Sequence, residues 1–307
     1  MSARDILVRG VARAGRATPR FRGKTRILDF VHPREGGPER AVREAIVLAD
    51  GTRLHCDTSS FIEWSLYFLG EYEPETVDLL RRIVRPGWTC VDAGANIGYI
   101  SVILARAAGP GGRVYSFEAL PAMSERLAAN IALNGLSNVR IETICLGESR
   151  GEANFFAPRA GISNVGQSSL YLDRHPDLGA ADVVRYVVQT LPFDEFAERE
   201  KLASWDFLKI DVEGAEGRVL TGAERSLRRW HPLILFEANA ATQALAGSTV
   251  GALLDTLAAL GYGFHAHDRK RGWIPLDAQS RRRLETDAGG AENVLASHGD
   301  VPGLAAG

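Results

Sequence analysis

The sequence predicts an α/β fold, a mostly parallel sheet with helices on both faces. Three observations carry this reading. Short apolar runs alternate with longer helical ones after Pro86-Gly87, a glycine-bearing turn follows the first run, and an acid closes the second. Residues 89–93, 113–118, 139–146, 207–211 and 233–237 read as strands, and 97–108, 122–134, 215–229 and 250–260 as helices that close near Gly, Asn or a polar turn. Residues 147–190 interrupt the alternation with Gly, Ser, Asn and Pro and with the β-rich run 183–188. This segment reads as an insertion beside the ligand-binding edge of the sheet.

Ahead of this main domain, expected over 86–300, the turn signal Asp50-Gly51 separates two apolar segments within 45–57, as in a β-hairpin. Residues 61–69 and 75–84 read as packing helices. The aromatics Trp64, Tyr67 and Phe68 read as core rather than as a substrate lip. Residues 46–85 therefore form an accessory hairpin and helices, and 1–45 a basic N-terminal arm.

The first 26 residues hold Arg4, Arg9, Arg13, Arg16, Arg20, Arg22, Lys24 and Arg26 against the single acid Asp5. They contain no apolar run of the kind that drives secretion, and a solvated, frayed arm is the expected form. With 45% hydrophobic and 24% charged residues and a net charge of −2, the chain suits a sizeable core and has no overall field that would attract nucleic acid. No stretch is long and apolar enough to cross a membrane. Cys56, Cys90 and Cys145 lack metal or redox spacing, so a reducing cytoplasm is expected, with Cys90 buried as a small hydrophobe.

The densest chemical signal is Asp92-Ala93-Gly94-Ala95-Asn96-Ile97-Gly98, leaving a strand and entering a helix. Gly94 and Gly98 allow a sharp turn and close backbone approach, Asn96 tolerates the left-handed conformation, and free N–H groups at the helix start would face a polar ligand. Glu118 lies twenty positions beyond Gly98, where nucleotide-binding sheets set an acid against ribose hydroxyls. Adenosine-type recognition is the expectation. A third cluster, Lys209-Ile210-Asp211-Val212-Glu213-Gly214-Ala215-Glu216, ends a buried-looking strand. Glu213 and Glu216 suit helix capping there, whereas Asp211 falls in the binding crevice.

Together these segments resemble the FkbM family of S-adenosylmethionine-dependent methyltransferases, as do Ser116-Phe117-Glu118 and Ser168-Ser169-Leu170. The resemblance runs from about Glu71-Tyr72-Glu73-Pro74 to Glu237, more weakly to Asn293-Val294-Leu295, and leaves residues 1–45 uncovered. It implies a Rossmann-like class I methyltransferase sheet. It also implies that Asp92, Gly94, Asn96 and Gly98 hold the amino-acid portion of S-adenosyl-L-methionine and that Glu118 holds its ribose. Ala119-Leu120 replaces the family's usual Pro-Asn, and Leu146 a smaller residue, which changes the adenine side.

The implied reaction is O-methylation of a hydroxyl on a sugar, polyketide or other small molecule. A base must take the hydroxyl proton, and Asp211 is the first candidate and Glu213 the second. Ser168, Ser169 and Glu237 are expected to bind the acceptor. Asp211, Glu237 and Asn239 would suit a divalent cation, as in catechol methyltransferases, but polar-substrate binding is the favoured use of such groups. His265 and His267 share a strand face without a third ligand and read as surface residues. Two rival readings stand beside this one. A nicotinamide-dependent oxidoreductase would use Glu118 equally well, although its glycine fingerprint is imperfect, and a non-catalytic protein could retain the fold and the cofactor.

Overall fold

The computed structural model describes residues 3–19, 21, 23–32, 41–158, 169–171, 182–287 and 290–304. The chain opens with α1 (Ala3–Ala17), α2 (Lys24–Val31), the hairpin β1 (Arg43–Val47) and β2 (Arg53–Asp57), then α3 (Phe61–Leu69) and α4 (Pro74–Ile83). Two crossovers follow: β3 (Thr89–Ala93), α5 (Tyr99–Ala108), β4 (Arg113–Phe117), α6 (Pro121–Leu133) and β5 (Val139–Glu142). Next, β6 (Cys145–Leu146), β7 (Gly151–Pro158) and β8 (Val183–Leu191) form a separate small sheet. The return runs through α7 (Phe193–Arg199), β9 (Phe207–Ile210), α8 (Glu216–Thr221), α9 (Glu224–Trp230), β10 (Leu233–Asn239), α10 (Ala240–Leu245) and α11 (Val250–Ala259). It ends with β11 (Gly263–Asp268), β12 (Gly272–Pro275), α12 (Ala278–Thr286) and β13 (Ala291–Ser297).

Among the described residues the main sheet has eight strands in the order β12-β11-β13-β10-β9-β3-β4-β5. β10, β9, β3, β4 and β5 are parallel, and β13, β11 and β12 add antiparallel pairs at one end. From β3 the chain steps one way through β4 to β5, then returns to lay β9 and β10 on the other side. The order therefore reverses between β3 and β9, and open α/β sheets leave a crevice at such a point, outside the carboxyl ends of the strands. The architecture is Rossmann-like, with a hairpin and helices added at its N-terminal side.

Each face of the sheet has its own core. One unites α3, α4 and α5 around Trp64, Tyr67, Phe68, Leu79 and Leu104. The other joins Phe193, Phe196, Leu220, Leu227 and Leu254 from the helices after β8. α3 is apolar on nearly all sides because it is enclosed, and Trp64, Tyr67 and Phe68 are 0% exposed. Burying Phe68 alone contributes roughly 1.5–3 kcal/mol. All three cysteines are buried and unpaired.

The structure departs from the sequence reading at three places. The expected strand 139–146 breaks after Glu142. β5 stays in the main sheet, while β6 pairs with the distant β8. The expected helix 215–229 breaks at Gly222. Asp194 accepts from the Arg225 and Ser226 N–H groups at 3.0 and 2.8 Å and so caps the start of α9. The basic segment expected as a solvated arm is helical over α1 and buries Val8 and Ala12, one turn apart, against the N-terminal core.

Candidate active site

The turn after β3 is shaped by contacts within the protein. Gly94 (φ 84°) lies so close to the end of β9 that a Cβ there would sit 1.8 Å from the Asp211 carbonyl oxygen. At Gly98 (φ 87°) a Cβ would meet Leu127 Cδ1 at 2.4 Å. Asn96 adopts the expected left-handed backbone, φ 50°. The N–H groups of Gly94 and Ala95 both donate to the Phe117 carbonyl, at 3.0 and 2.9 Å, and that of Asn96 to Glu118 Oε2 at 2.9 Å. The donors at these three turn positions, ahead of the helix that starts at Tyr99, are thus engaged by β4 and its terminal acid.

Glu118 accepts a second N–H, from Leu120 to Oε1 at 2.9 Å. Burial pushes its pKa up to about 7 against the pull of these two bonds, with Asp92 adding to the rise. A carboxylate has about four lone-pair sites, so each oxygen retains capacity for a ligand hydroxyl. Asp92 is 1% exposed and accepts from Ser101 Oγ at 2.6 Å, and Ser116 Oγ donates in turn to Ser101 at 2.8 Å. Burial raises the Asp92 pKa, and the Ser101 bond and Lys209 oppose the rise.

Across the cleft, Lys209 interrupts the apolar strand β9 and donates from Nζ to Asp211 Oδ2 at 2.9 Å. Burial works against its ammonium, but Asp211, Glu73 and Asp92 outweigh it and hold the pKa above the ordinary lysine value. Glu237, at the end of β10, is pushed up to about 9 by burial and then by Asp211 and Glu213. Glu213 is left-handed (φ 51°), and the next residue, Gly214, has φ 101°. Glu216 Oε1 fastens this turn by accepting from the Val212 and Gly214 N–H groups at 3.3 and 3.2 Å. Gln243 donates to the other oxygen of Glu216.

Asp92, Gly94, Asn96, Glu118, Asp211, Glu213 and Glu237 all line one cleft of about 1180 Å3, its open mouth included. Gly98 instead packs against α6. Ser169 is buried beside the cleft and donates to the Glu213 carbonyl at 3.0 Å, and Ser168 lies outside the described residues. Asn239 Oδ1 accepts from the Ala241 and Thr242 N–H groups and caps α10. Among the described residues no group of three or more His, Cys, Asp or Glu is placed to hold a metal ion. His265 is half-buried on β11, and His267 packs against Trp273.

Among the lining residues to which the sequence reading gave no role are Tyr72, Glu73 and Lys209. Glu73 is left-handed (φ 43°) ahead of Pro74 and accepts from Asn293 Nδ2 at 2.9 Å. The usable sequence signal was Lys209, a charge inside an otherwise apolar strand. The cleft is bipolar. Leu120, Met123, Ile144 and Leu146 give an apolar flank near Glu118, whereas Glu73, Asp92, Asp211, Glu213 and Glu237 surround a single lysine at the other end. This donor set suits a nucleoside whose tail carries positive charge.

Residues 92–264, more than half of the chain, match the family model of the methyltransferase FkbM domain. The chain belongs to the FkbM methyltransferase family. The FkbM region begins at Asp92 and extends into β11, so it contains the lining of the bipolar cleft except for Ile62, Tyr72 and Glu73. Part of the chain is similar to the protein-L-isoaspartate O-methyltransferase of Aeropyrum pernix, 37% identical over 67 residues. The match spans 22% of this chain and a quarter (25%) of that relative. Among solved structures, methyltransferase FkbM from Methylobacillus flagellatus KT is 15% identical with a TM-score of 0.41, covering 76% of this chain and 52% of that one. The Bacillus cereus O-methyltransferase in complex with SAH is also 15% identical, with a TM-score of 0.42 and coverage of 74% and 81%. Among the described residues no helix is long and apolar enough to cross a membrane.

Proposed function

We propose that this protein is an S-adenosylmethionine-dependent methyltransferase that methylates a hydroxyl on a sugar, polyketide or other small molecule. The observation that carries this reading is the bond from Asn96 N–H to Glu118 Oε2, which ties the glycine turn and the acid of β4 to one cleft with an acidic far end. Glu118 would receive the ribose hydroxyls and the apolar flank the adenine. Gly94 and Asn96 would border the amino-acid portion, beside Asp92. The cofactor supplies an activated methyl on a sulfonium, a good leaving group.

What the chain must add is alignment, exclusion of water and a proton acceptor. Positioning alone can remove roughly 7–11 kcal/mol of barrier in favourable cases. Asp211 is the proposed base, with Glu213 second. Lys209 holds Asp211 through Oδ2. Glu237, protonated near neutral pH because of its raised pKa, would donate a hydrogen bond to the acceptor molecule. Ser168 and Ser169 are proposed to border the acceptor, with Ser169 fixing the Glu213 carbonyl.

The dinucleotide reading is weaker on two counts. Gly94, Ala95 and Asn96 have no N–H left for a pyrophosphate, and the acidic end would repel one. Titration calorimetry with S-adenosylmethionine, S-adenosylhomocysteine and NAD tests the assignment. Binding of the first two without the third is expected, and binding of NAD alone would overturn it. Transfer of labelled methyl to hydroxylated acceptors then separates an enzyme from a protein that binds the cofactor without turnover.

A further inference from the structure

We infer that α1 and α2 form a docking surface for an anionic lipid membrane. Residues 1–32 hold eight basic side chains against Asp5 and Asp29, whereas the whole chain is −2, so the rest of the molecule is net negative. The same segment concentrates exposed apolar side chains. Phe30 is 90% exposed, Leu7 62%, Ile27 57%, Ile6 56% and Phe21 53%, half of the large exposed hydrophobics among the described residues.

The two helices are anchored, so their outward faces are fixed. Val8, Ala12 and Leu28 point into the N-terminal core, and a Cβ on Gly15 would lie 2.3 Å from the Phe68 carbonyl, which sets α1 flush against α3. Arg16 and Lys24 turn inward and donate to the carbonyls of Tyr67 and Thr18. Helical spacing then puts Ile6 and Arg13 on the exposed side of α1, where Arg9 is paired with Glu44 at 2.9 Å, and Arg26, Ile27 and Phe30 on the outer side of α2. Arg13 and Arg26 set among exposed apolar side chains match an interface of anionic headgroups over acyl chains.

Nucleic acid would satisfy the arginines but leave Phe30 and Ile27 in water. A symmetric contact between two copies would set this basic face against itself. The inference is independent of the methyl-transfer reading, because it involves no residue of the cleft.

Co-sedimentation of the full chain with phosphatidylcholine vesicles, with and without phosphatidylserine, tests it. Binding is expected to be about tenfold or more tighter with the anionic lipid and to weaken at high salt. The pairs Ile27→Ser with Phe30→Ser and Arg13→Gln with Arg26→Gln are each expected to weaken it about tenfold with unchanged thermal melting, since all four side chains are exposed. Equal binding to both vesicle types, no binding, variants that bind like the parent, or tighter binding to single-stranded RNA would each overturn the inference. So would a dimer in sedimentation equilibrium that the Ile27→Ser/Phe30→Ser pair abolishes while vesicles are ignored.

Discussion

The turn after β3 and the turn after β9 lie side by side and touch, Gly94 against the Asp211 carbonyl, yet they are built from different materials. The first consists of small residues with left-handed backbone, and its N–H groups are closed by Phe117 and Glu118. Its contribution to the cleft is shape. The second carries Asp211 and Glu213, is fastened from behind by Glu216 and Ser169, and faces Lys209 and Glu237. Its contribution is charge. Alterations in the first turn should therefore act through folding and binding, and alterations in the second through turnover and pH.

Gly94→Ala should have the largest effect. The new Cβ has no room against backbone and φ is positive, so a loss of at least about 3 kcal/mol of stability is expected. A thermal melt of that variant matching the parent would break the claim that the turn is fixed by packing. Asp211→Asn should reduce turnover by about 10²–10⁴-fold while S-adenosylmethionine affinity stays within a few-fold. Full turnover at normal cofactor affinity would remove Asp211 as the base.

Glu118→Gln keeps an acceptor oxygen but loses the charge, and should weaken cofactor binding about tenfold in calorimetry, with little change in turnover at saturation. The last effect is a pH dependence of stability. Glu237 in the folded chain, near 9, lies above its ordinary value of 4.5, so the folded state holds an extra proton through that window. Stability therefore falls as pH rises from the lower value to the upper one. Glu118 and Glu216, both near 7, contribute to the lower part of the fall. Above pH 7 the remaining decline belongs chiefly to Glu237, and Glu237→Gln should flatten it in melts between neutrality and pH 9.

What the sequence disclosed follows the same division. The strand over 89–93, the left-handed Asn96 and the acid at Glu118 are local features: periodicity, a turn residue and a fixed offset. The pieces that stayed hidden depend on partners far along the chain. β6 leaves the line of β5 because β8, about forty residues on, provides an edge for it. The helix break at Gly222 reflects capping by Asp194, which no window around Gly222 contains. Glu73 joins the acidic wall through Asn293, 220 positions away. The acceptor of the Gly94 and Ala95 N–H groups is equally remote in sequence, because it is the Phe117 carbonyl at the end of β4.

The position of β13 has a consequence for how the molecule is made. This strand is synthesised after β11 and β12 but lies between β10 and β11. A nascent chain emerging from the ribosome can pair β3, β4, β5, β9 and β10 as each arrives, but the hairpin of β11 and β12 must wait, undocked, for its neighbour. Asn293 rides on that late strand, so the wall holding Glu73 is completed after the glycine turn and Glu118 are in place. Assembly in that order would leave the acidic end of the cleft incomplete until the last strand of the sheet docks.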